Sequence, residues 1–277
     1  MKLLSDSGPL AALPLLGQSL LEYWLSYWAL AGAREVLLVV HECPETICAL
    51  AGTGARWGLK LKTIVESREL TPAQALLKFA PELDPAPAPN SVVTLDHFPG
   101  VPERPLFASY DSWYKALVEW MPCALTPDRV GVHQARPGVW VNAQAHIAPQ
   151  AQLRPPCWIG RHALIGAGAT IGPGSIIEDG AFVEPGAEII QSWVGPDTFV
   201  GKFARLAHSL ARGNTLIDWQ SGSSTMVPDP FLLCALRTPK QRRTAGWLAR
   251  LNQLYARGKG ESGLAWKGLL LNRRADG

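Results

Sequence analysis

The chain has 277 residues, with 26 lysines and arginines against 23 acidic residues and a hydrophobic fraction of 47%. This length is sufficient for two domains with substantial cores, and no uncharged apolar run reaches the ~18 residues that a membrane span needs. Five scattered cysteines without the spacing of a metal site favour free thiols in a reducing compartment. Because the N-terminus also lacks a long apolar region, we expect a cytoplasmic protein.

The first half of the chain alternates predicted helices with predicted strands. Helical patterns of apolar residues cover the ranges 20–31, 44–55 and 72–79. Runs of β-branched and apolar residues predict strands at 35–40, 59–65 and 91–95. This alternation predicts a parallel α/β sheet, and we assign residues 1–135 to this domain.

The next part of the chain repeats every six residues. Eight aliphatic residues are spaced six apart without interruption: Val141, Ile147, Leu153, Ile159, Ile165, Ile171, Ile177 and Val183. A period of six fits neither a helix nor an ordinary strand and is typical of a β-helix. The pattern resembles the left-handed β-helix, in which three repeats form a triangular coil of eighteen residues. We therefore predict a left-handed parallel β-helix of hexapeptide repeats over residues 136–227.

Two slips in the repeat shorten the later coils. The segment Gln191–Val194 recurs as His208–Ala211 with an offset of seventeen, one less than a full coil. Ile217 is then expected to stack on Val200, which gives about four coils in total. Up to Ile189 the coils contain no insertion.

The last part of the chain, residues 228–277, is basic. From Arg237 onward there are ten lysines and arginines against two acidic residues. Apolar positions within Pro239–Gly258 predict an amphipathic helix. This helix is expected either to pack on the last coil or to contact an anionic surface, such as membrane headgroups or an acidic partner. We expect no nucleic-acid partner, because the chain has no recognised motif and no interleaved stacking aromatics.

Several stretches of the first half resemble sugar-1-phosphate nucleotidyltransferases, the NDP-sugar pyrophosphorylase family. The stretches that carry the resemblance are Leu13–Trp24, Ala31–Val36, Arg56–Leu59, Leu70–Leu76, Val92–Asp96 and Tyr110–Val118. Many members of that family also have a C-terminal left-handed β-helix. The resemblance implies an α/β fold plus a β-helix, with a truncated Rossmann-like nucleotidyltransferase domain in front of the hexapeptide repeats. It also implies transfer of a nucleotidyl group to a sugar phosphate.

Most residues that this reaction needs are absent from the chain. The glycine-rich triphosphate loop of the family would fall in Leu4–Leu13, which contains one glycine and no arginine. Gln18 replaces the lysine that follows this loop, and a glutamine cannot supply its positive charge. About forty-four residues separate Asp96 from Val141, whereas the family needs well over a hundred there for its sugar-binding half. The chain therefore resembles a degenerate member of the family.

Five residues are the candidates for a surviving nucleotide site. The resemblance places Ser7, Gly8, Gln18 and Gln74 where the nucleotide would bind, and Asp96 where the family's aspartate binds a metal ion. We expect Mg²⁺ as a cofactor only if nucleotide binding survives, since the metal bridges phosphate groups. The expected small-molecule partner is a nucleotide or a nucleotide sugar.

Three functions are compatible with this sequence. The first is a binding, regulatory or scaffolding subunit, either a homo-oligomer or joined to a partner subunit through the β-helix, with Trp193, Phe199 and Phe203 on or near its faces. The second is an acyltransferase, because β-helix enzymes of that class use a histidine as general base. Candidate histidines are His146, His162 and His208, although an exposed surface role is expected for His162. The third is residual nucleotidyl transfer.

Overall fold

The computed structural model describes residues 4, 8–68, 70–79, 92–126, 129 and 131–236. Contacts divide the chain into a compact unit that ends at Arg237 and a second unit, Thr238–Gly277. The predicted amphipathic helix Pro239–Gly258 and the basic segment around it lie outside the described residues, as does Ser7. No helix in the described ranges is long and apolar enough to cross a membrane.

The described residues of the N-terminal part include four α-helices, three short 3-10 helices, a small hairpin and one pair of parallel strands. The helices are α1 (Leu20–Leu30), α2 (Pro44–Ala51), α3 (Pro72–Phe79) and α4 (Tyr110–Trp120). The strands are β1 (Pro14–Leu15) and β2 (Gln18–Ser19), which form the hairpin, and β3 (Glu35–Val40) and β4 (Lys60–Val65), which pair in parallel. The predicted helices and the first two predicted strands are confirmed within a few residues at their ends.

Local sequence explains where α1 begins and ends. Ser19 accepts a hydrogen bond from the Glu22 amide, and the Glu22 carboxylate accepts one from the Ser19 amide, which is a complete capping box. Gly32 follows the last turn with a φ of 87°, a left-handed conformation in which glycine is unstrained. The hydrophobic side of α1 then packs with β3 and α2 through Leu21, Leu25 and their neighbours.

The prediction of a third strand at 91–95 is wrong for the residues described. Val92–Leu95 do not pair with β3 or β4, and the amide of Asp96 instead donates to the carbonyl of Thr94 at 2.9 Å in a turn. The apolar side chains of Val93 and Leu95 are instead partly buried against hydrophobic clusters. The described part of this region therefore contains one parallel pair, and a Rossmann-like sheet is not confirmed.

The rest of the compact unit is a left-handed β-helix of about four turns with three sheets. The first sheet contains β5 (Val132–Arg136), β6 (Val139–Asn142), β9 (Cys157–Ile159), β12 (Ser175–Ile177), β15 (Trp193–Val194), β18 (Ser209–Arg212), β19 (Thr215–Asp218) and β20 (Ser224–Met226). The second contains β7 (His146–Ile147), β10 (Leu164–Ile165), β13 (Phe182–Val183), β16 (Thr198–Val200) and β21 (Leu233–Ala235). The third contains β8 (Gln152–Leu153), β11 (Thr170–Ile171), β14 (Glu188–Ile190) and β17 (Arg205–Ala207).

The strand register confirms the hexapeptide interpretation and the shortened coils. Ile147 pairs with Ile165 and Ile165 with Val183, one full coil apart, whereas Val183 pairs with Val200 across a coil that is one residue shorter. The predicted correspondence of Gln191–Val194 with His208–Ala211 is also confirmed, because Trp193 pairs with Leu210 in parallel.

The predicted stacking of Ile217 on Val200 is wrong. After Arg212 the chain reverses at Gly213, whose φ is 55°, so β19 runs antiparallel to β18 and Ile217 pairs with Leu210. Val200 instead pairs with Leu233 of β21, which returns antiparallel to β16. Two antiparallel strands, β19 and β21, therefore cover the last-coil edges of the first and second sheets.

The β-helix shares a core with the N-terminal part. Trp158 and Trp193 point outward from the first sheet, are buried, and belong to the same hydrophobic cluster as Trp113 of α4. The rings of Trp113 and Trp193 meet edge to face at 4.9 Å. The opposite, inward positions hold the aliphatics of the repeat, such as Ile171 and Ile177, with no exposed surface.

We expect the substitution Ile171→Ala to lower the free energy of unfolding by about 2–5 kcal/mol, because it leaves a cavity in a filled interior. Thr170→Ala, on the outward side of the same strand, is the matched control and should change stability by less than about 1 kcal/mol. Chemical denaturation followed by circular dichroism measures both values. Equal effects of the two substitutions would show that the aliphatic stack does not carry the fold.

Candidate functional site: a buried carboxylate beneath the first hairpin

Glu178 lies at a corner of the β-helix where the neighbouring coils have glycine. The register places it beside Gly160 on one side and Gly195 on the other. A β-carbon at Gly160 would lie 2.7 Å from main-chain atoms of Glu178 and Asp179, and one at Gly195 would lie 2.7 Å from the Trp193 ring. The two glycines therefore allow the neighbouring main chain and the Trp193 ring to lie close around Glu178, whose side chain is completely buried.

The Glu178 carboxylate accepts three hydrogen bonds. The amide of Leu16 donates to Oε1 at 2.7 Å and the amide of Gly17 donates to Oε2 at 2.9 Å. The indole Nε1 of Trp193 donates to Oε1 at 3.1 Å. The two amides come from one turn and the indole from the β-helix, so a single carboxylate joins the N-terminal hairpin to the repeats.

The backbone of the hairpin explains why both amides reach the same carboxylate. Leu16 and Gly17 connect β1 to β2 with φ values of 53° and 75°. Two left-handed residues in succession are the mark of a type I′ turn, which fits the twist of a two-residue hairpin. A leucine in this conformation is strained, and we infer that the bond to Glu178 offsets part of that strain.

Arg129 holds the other side of the same turn. Its guanidinium donates to the carbonyl of Leu16, and at 3.1 Å each to the Tyr23 hydroxyl and the carbonyl of Ala124. The guanidinium carbon also lies 4.7 Å from the ring centre of Trp158. The two turn amides thus bond to the acidic Glu178, and the carbonyl of Leu16 bonds to the basic Arg129.

Burial is the largest influence on the pKa values of Glu178 and Asp179. Burial and, to a smaller extent, the adjacent charge of Asp179 raise the pKa of Glu178 to about 7, against the hydrogen bonds from Trp193, Leu16 and Gly17, which lower it. Burial also raises the pKa of Asp179, against the hydrogen bond from the Arg161 amide and the charge of Arg129. A carboxyl group with a pKa near neutrality exists in both protonation states at physiological pH.

The residues predicted to bind nucleotide are found in separate local environments. Gly8 is partly buried, with a φ of 127°. Gln18 is buried in β2, and its Oε1 has no hydrogen-bond partner among the described residues. Gln74 is exposed in the first turn of α3, where it exchanges hydrogen bonds with Thr71. None of the hydrogen bonds between described residues joins two of the predicted site residues.

Asp96, the predicted metal ligand, is half-exposed in a turn. Its Oδ1 lies 2.6 Å from Nδ1 of His97, and the indole of Trp24 donates to the carbonyl of His97 at 2.8 Å. Since residues 92–95 are not a strand, Asp96 is not at a strand end as predicted. The described ranges contain no group of three or more His, Cys, Asp or Glu side chains that could hold a metal ion.

The candidate histidines of the acyltransferase hypothesis lie on different parts of the β-helix. His146 is exposed on the second sheet, and His162 is exposed at a corner, as predicted. His208 is half-buried in the shortened coil, with its ring 5.7 Å from Trp219. Trp219 in turn stacks on Tyr114 at 4.4 Å, so the imidazole borders the interface with α4.

The role of Glu178 was not predicted from the sequence. A signal was nevertheless present, because an acid stands at a repeat position where the adjacent coils have Gly160 and Gly195. This signal was not specific, because Glu184 stands between Gly166 and Gly201 in the same register and remains partly exposed. The sequence also could not identify the partner of Glu178, since Leu16 is 162 positions away.

Comparison with known proteins supports the repeat part of this description. Residues 156–191 match the family model described as bacterial transferase hexapeptide, six repeats. This range covers the coils that hold Trp158, Glu178 and Gln191. No curated protein matches the chain, and the resemblance to nucleotidyltransferases has no support in these comparisons.

We expect acid to stabilise the protein through Glu178. Its pKa rises from 4.5 in the unfolded chain to about 7 in the folded one, so the folded state binds more protons between these values. The resulting contribution is fully present below pH 4.5 and is lost as the pH rises through about 7. Glu178 should thereby lower the free energy of unfolding by roughly 3 kcal/mol between pH 4.5 and 8.

Urea denaturation across this pH range measures the effect, with Glu178→Gln as the reference variant. The difference in unfolding free energy between the two proteins isolates Glu178 from the other titrating groups. Parallel pH profiles for the two proteins would contradict the assignment of a raised pKa to this carboxyl group.

Proposed function

We propose that this protein is a binding or scaffolding subunit of the hexapeptide-repeat type, in which the N-terminal part is a fixed frame and transfers no nucleotide. The observation that carries the proposal is the contact of Glu178 with the amides of Leu16 and Gly17. In anion-binding loops, main-chain amides of this kind bind the phosphate. Here an internal carboxylate occupies them.

The charges around the hairpin support the same conclusion. Glu178 and Asp179 are adjacent acids that oppose the approach of a triphosphate, and the Arg129 guanidinium beside them already donates to the carbonyls of Leu16 and Ala124. Gln18, which stands where the nucleotidyltransferases that this sequence resembles have a lysine, is neutral and buried. An anion site needs uncommitted donors and positive charge, and the described part of the hairpin directs its two turn amides to an acid instead.

Residual nucleotidyl transfer is the competing hypothesis for the N-terminal part. It requires Ser7, Gly8, Gln18 and Gln74 to bind the nucleotide and Asp96 to hold Mg²⁺ against the phosphates. Asp96 is a half-exposed carboxylate beside His97. By itself it is a weak Mg²⁺ site, because Mg²⁺ in such enzymes takes most of its remaining ligands from the substrate phosphates and from water.

We expect no heat of binding when the purified protein is titrated calorimetrically with nucleoside triphosphates or nucleotide sugars, at millimolar concentration and with Mg²⁺. Asp96→Ala is the test variant, and Glu188→Ala, which removes an acid from the outside of the β-helix, is the matched control. Binding that persists in Glu188→Ala but is lost in Asp96→Ala would establish a working nucleotide site and overturn the proposal.

Acyl transfer is a second candidate, because residues 156–191 match a model of bacterial transferases. His208 is the best-placed base, since it is half-buried against Trp219. An acyl-coenzyme A hydrolysis or transfer assay with wild type and His208→Ala tests this function. Turnover that the substitution abolishes would favour the enzyme over the scaffold, whereas His162→Ala should leave any turnover unchanged.

A further inference from the structure

The column of the β-helix that contains Glu178 also contains a second charged residue. The parallel register places Glu178 beside Gly195 and Gly195 beside Arg212, so the acid and the base occupy equivalent positions two coils apart. Each of them comes at the end of a strand of the first sheet. The acid receives its hydrogen bonds from the first hairpin and from Trp193, which leaves the environment of Arg212 to be explained.

Arg212 has no partner in the part of the chain that the structure describes. Its side chain is half-buried, and no hydrogen bond or ion pair joins its guanidinium to another described residue. Burial lowers the pKa of Arg212 because the charged group has lost part of its water without gaining an acid. A guanidinium stays charged at physiological pH and only donates hydrogen bonds, so this side chain needs an acceptor.

Arg212 lines a narrow crevice between the N-terminal part and the β-helix. The unfilled space in and around it is about 180 Å³. The other lining residues are apolar or aromatic: Leu4, Leu13, Pro14, Leu15, Trp113, Trp193 and Pro196. In this conformation the crevice has no space for a water molecule. A polar group buried beside it is therefore not satisfied by water inside the crevice.

Trp113 brings a second donor without a partner to the crevice. Its side chain is completely buried, and its Nε1 has no hydrogen-bond acceptor among the described residues. The other indole of the lining, Trp193, donates to Glu178 and is satisfied. The uncommitted polar groups of the lining side chains are thus one guanidinium and one indole N–H. Both are donors, and none of these side chains offers an acceptor.

We propose that this crevice binds a small monocarboxylate with an apolar body, such as a short fatty acid, through Arg212 and Trp113. A carboxylate accepts the two parallel N–H groups of a guanidinium and has lone pairs left for the indole. The apolar lining suits a short hydrocarbon chain. A phosphate group has more charge and more oxygens than these two donor groups can satisfy. The site goes beyond the proposed scaffolding function and shares no residue with the predicted nucleotide site.

Arg212 also determines how a ligand reaches the crevice. It is the charged side chain of the lining and is half-exposed, whereas the rings of Trp113 and Trp193 hold each other edge to face at 4.9 Å. Outward rotation of the arginine side chain makes room for the ligand while the tryptophans stay in place, and the guanidinium then binds the carboxylate at the mouth. A crevice of this size excludes a nucleoside triphosphate.

Nuclear magnetic resonance of the indole N–H groups tests the proposal on the full chain, with butyrate as the probe. We expect butyrate to shift the Trp113 signal in a saturable way, with a dissociation constant in the millimolar range because the ligand is very small. Trp113→Phe, which keeps an aromatic ring but lacks the N–H, assigns this signal by its loss. A Trp113 signal that does not respond to millimolar butyrate would overturn the proposal.

Arg212→Gln tests the contribution of the positive charge. It should raise the butyrate dissociation constant by about 10-fold or more, since it removes a charged pair of donors. Arg205→Gln is the matched control, because it removes the same charge from a side chain that is 84% exposed on the third sheet, and it should bind butyrate normally. The remaining indole signals report whether each variant is folded. Equal butyrate binding by the two folded variants would contradict the role of Arg212.

Two further probes test the chemical class of the ligand. Butyramide has the apolar body of butyrate without its charge and should leave the Trp113 signal in place. Inorganic phosphate has charge without an apolar body and should bind more weakly than butyrate. A response to butyramide or to phosphate that equals the response to butyrate would overturn the assignment to a monocarboxylate.

Asp6 provides a control for the acids of the chain itself. It stands two positions after Leu4, which lines the crevice, and lies outside the described residues. Asp6→Asn should leave butyrate binding unchanged if the carboxylate comes from a separate ligand. Butyrate binding that is seen only in Asp6→Asn would show that the chain supplies this carboxylate itself and would overturn the proposal.

Discussion

The bonds between the Glu178 carboxylate and the Leu16–Gly17 turn join the two halves of the structure. Burying a carboxylate costs several kcal/mol unless hydrogen bonds compensate the lost hydration. Here two turn amides and the indole of Trp193 compensate part of that cost, and burial still raises the pKa of Glu178 to about 7. The turn itself requires Leu16 and Gly17 to adopt the left-handed backbone conformation, and their bonds to Glu178 help to hold that conformation. Separation of the halves would remove the Leu16 and Gly17 amides from Glu178 and uncover the tryptophans of the first sheet, so the N-terminal part is held on the β-helix.

The outward side chains of the β-helix also explain how the N-terminal part is attached to it. Each sheet of the β-helix has aliphatic residues inside, and its outward row determines what lies next to it. Tryptophans such as Trp158 and Trp193 are covered by the N-terminal part, Thr170 lies on the polar third sheet, and Phe182 on the second sheet is partly exposed.

The sequence predicted the β-helix well because an inward position every six residues leaves an unambiguous period. It failed at Ile217, where the reversal at Gly213 ends the repeat although the aliphatic spacing continues. The strand expected before Asp96 does not form, because Val93 and Leu95 bury their apolar side chains against hydrophobic clusters without pairing to a strand. Glu178 could not be assigned from spacing, since its donors lie 161 and 162 positions away and depend on the tertiary fold. Local periodicity thus identified the repeats, and long-range contacts decided the site.

Hydrogen–deuterium exchange at the amides of Leu16 and Gly17 tests the central claim most directly, because a turn at the surface of a mobile domain exchanges rapidly. If both amides are held by the buried Glu178 carboxylate, they should be protected to the same degree as the amides of the β-helix strands, such as that of Ile176. Exchange of Leu16 and Gly17 at the rate of an open loop, with Ile176 still protected, would contradict the account. It would mean that the hairpin is detached from the β-helix in solution and that its amides are free to bind another anion.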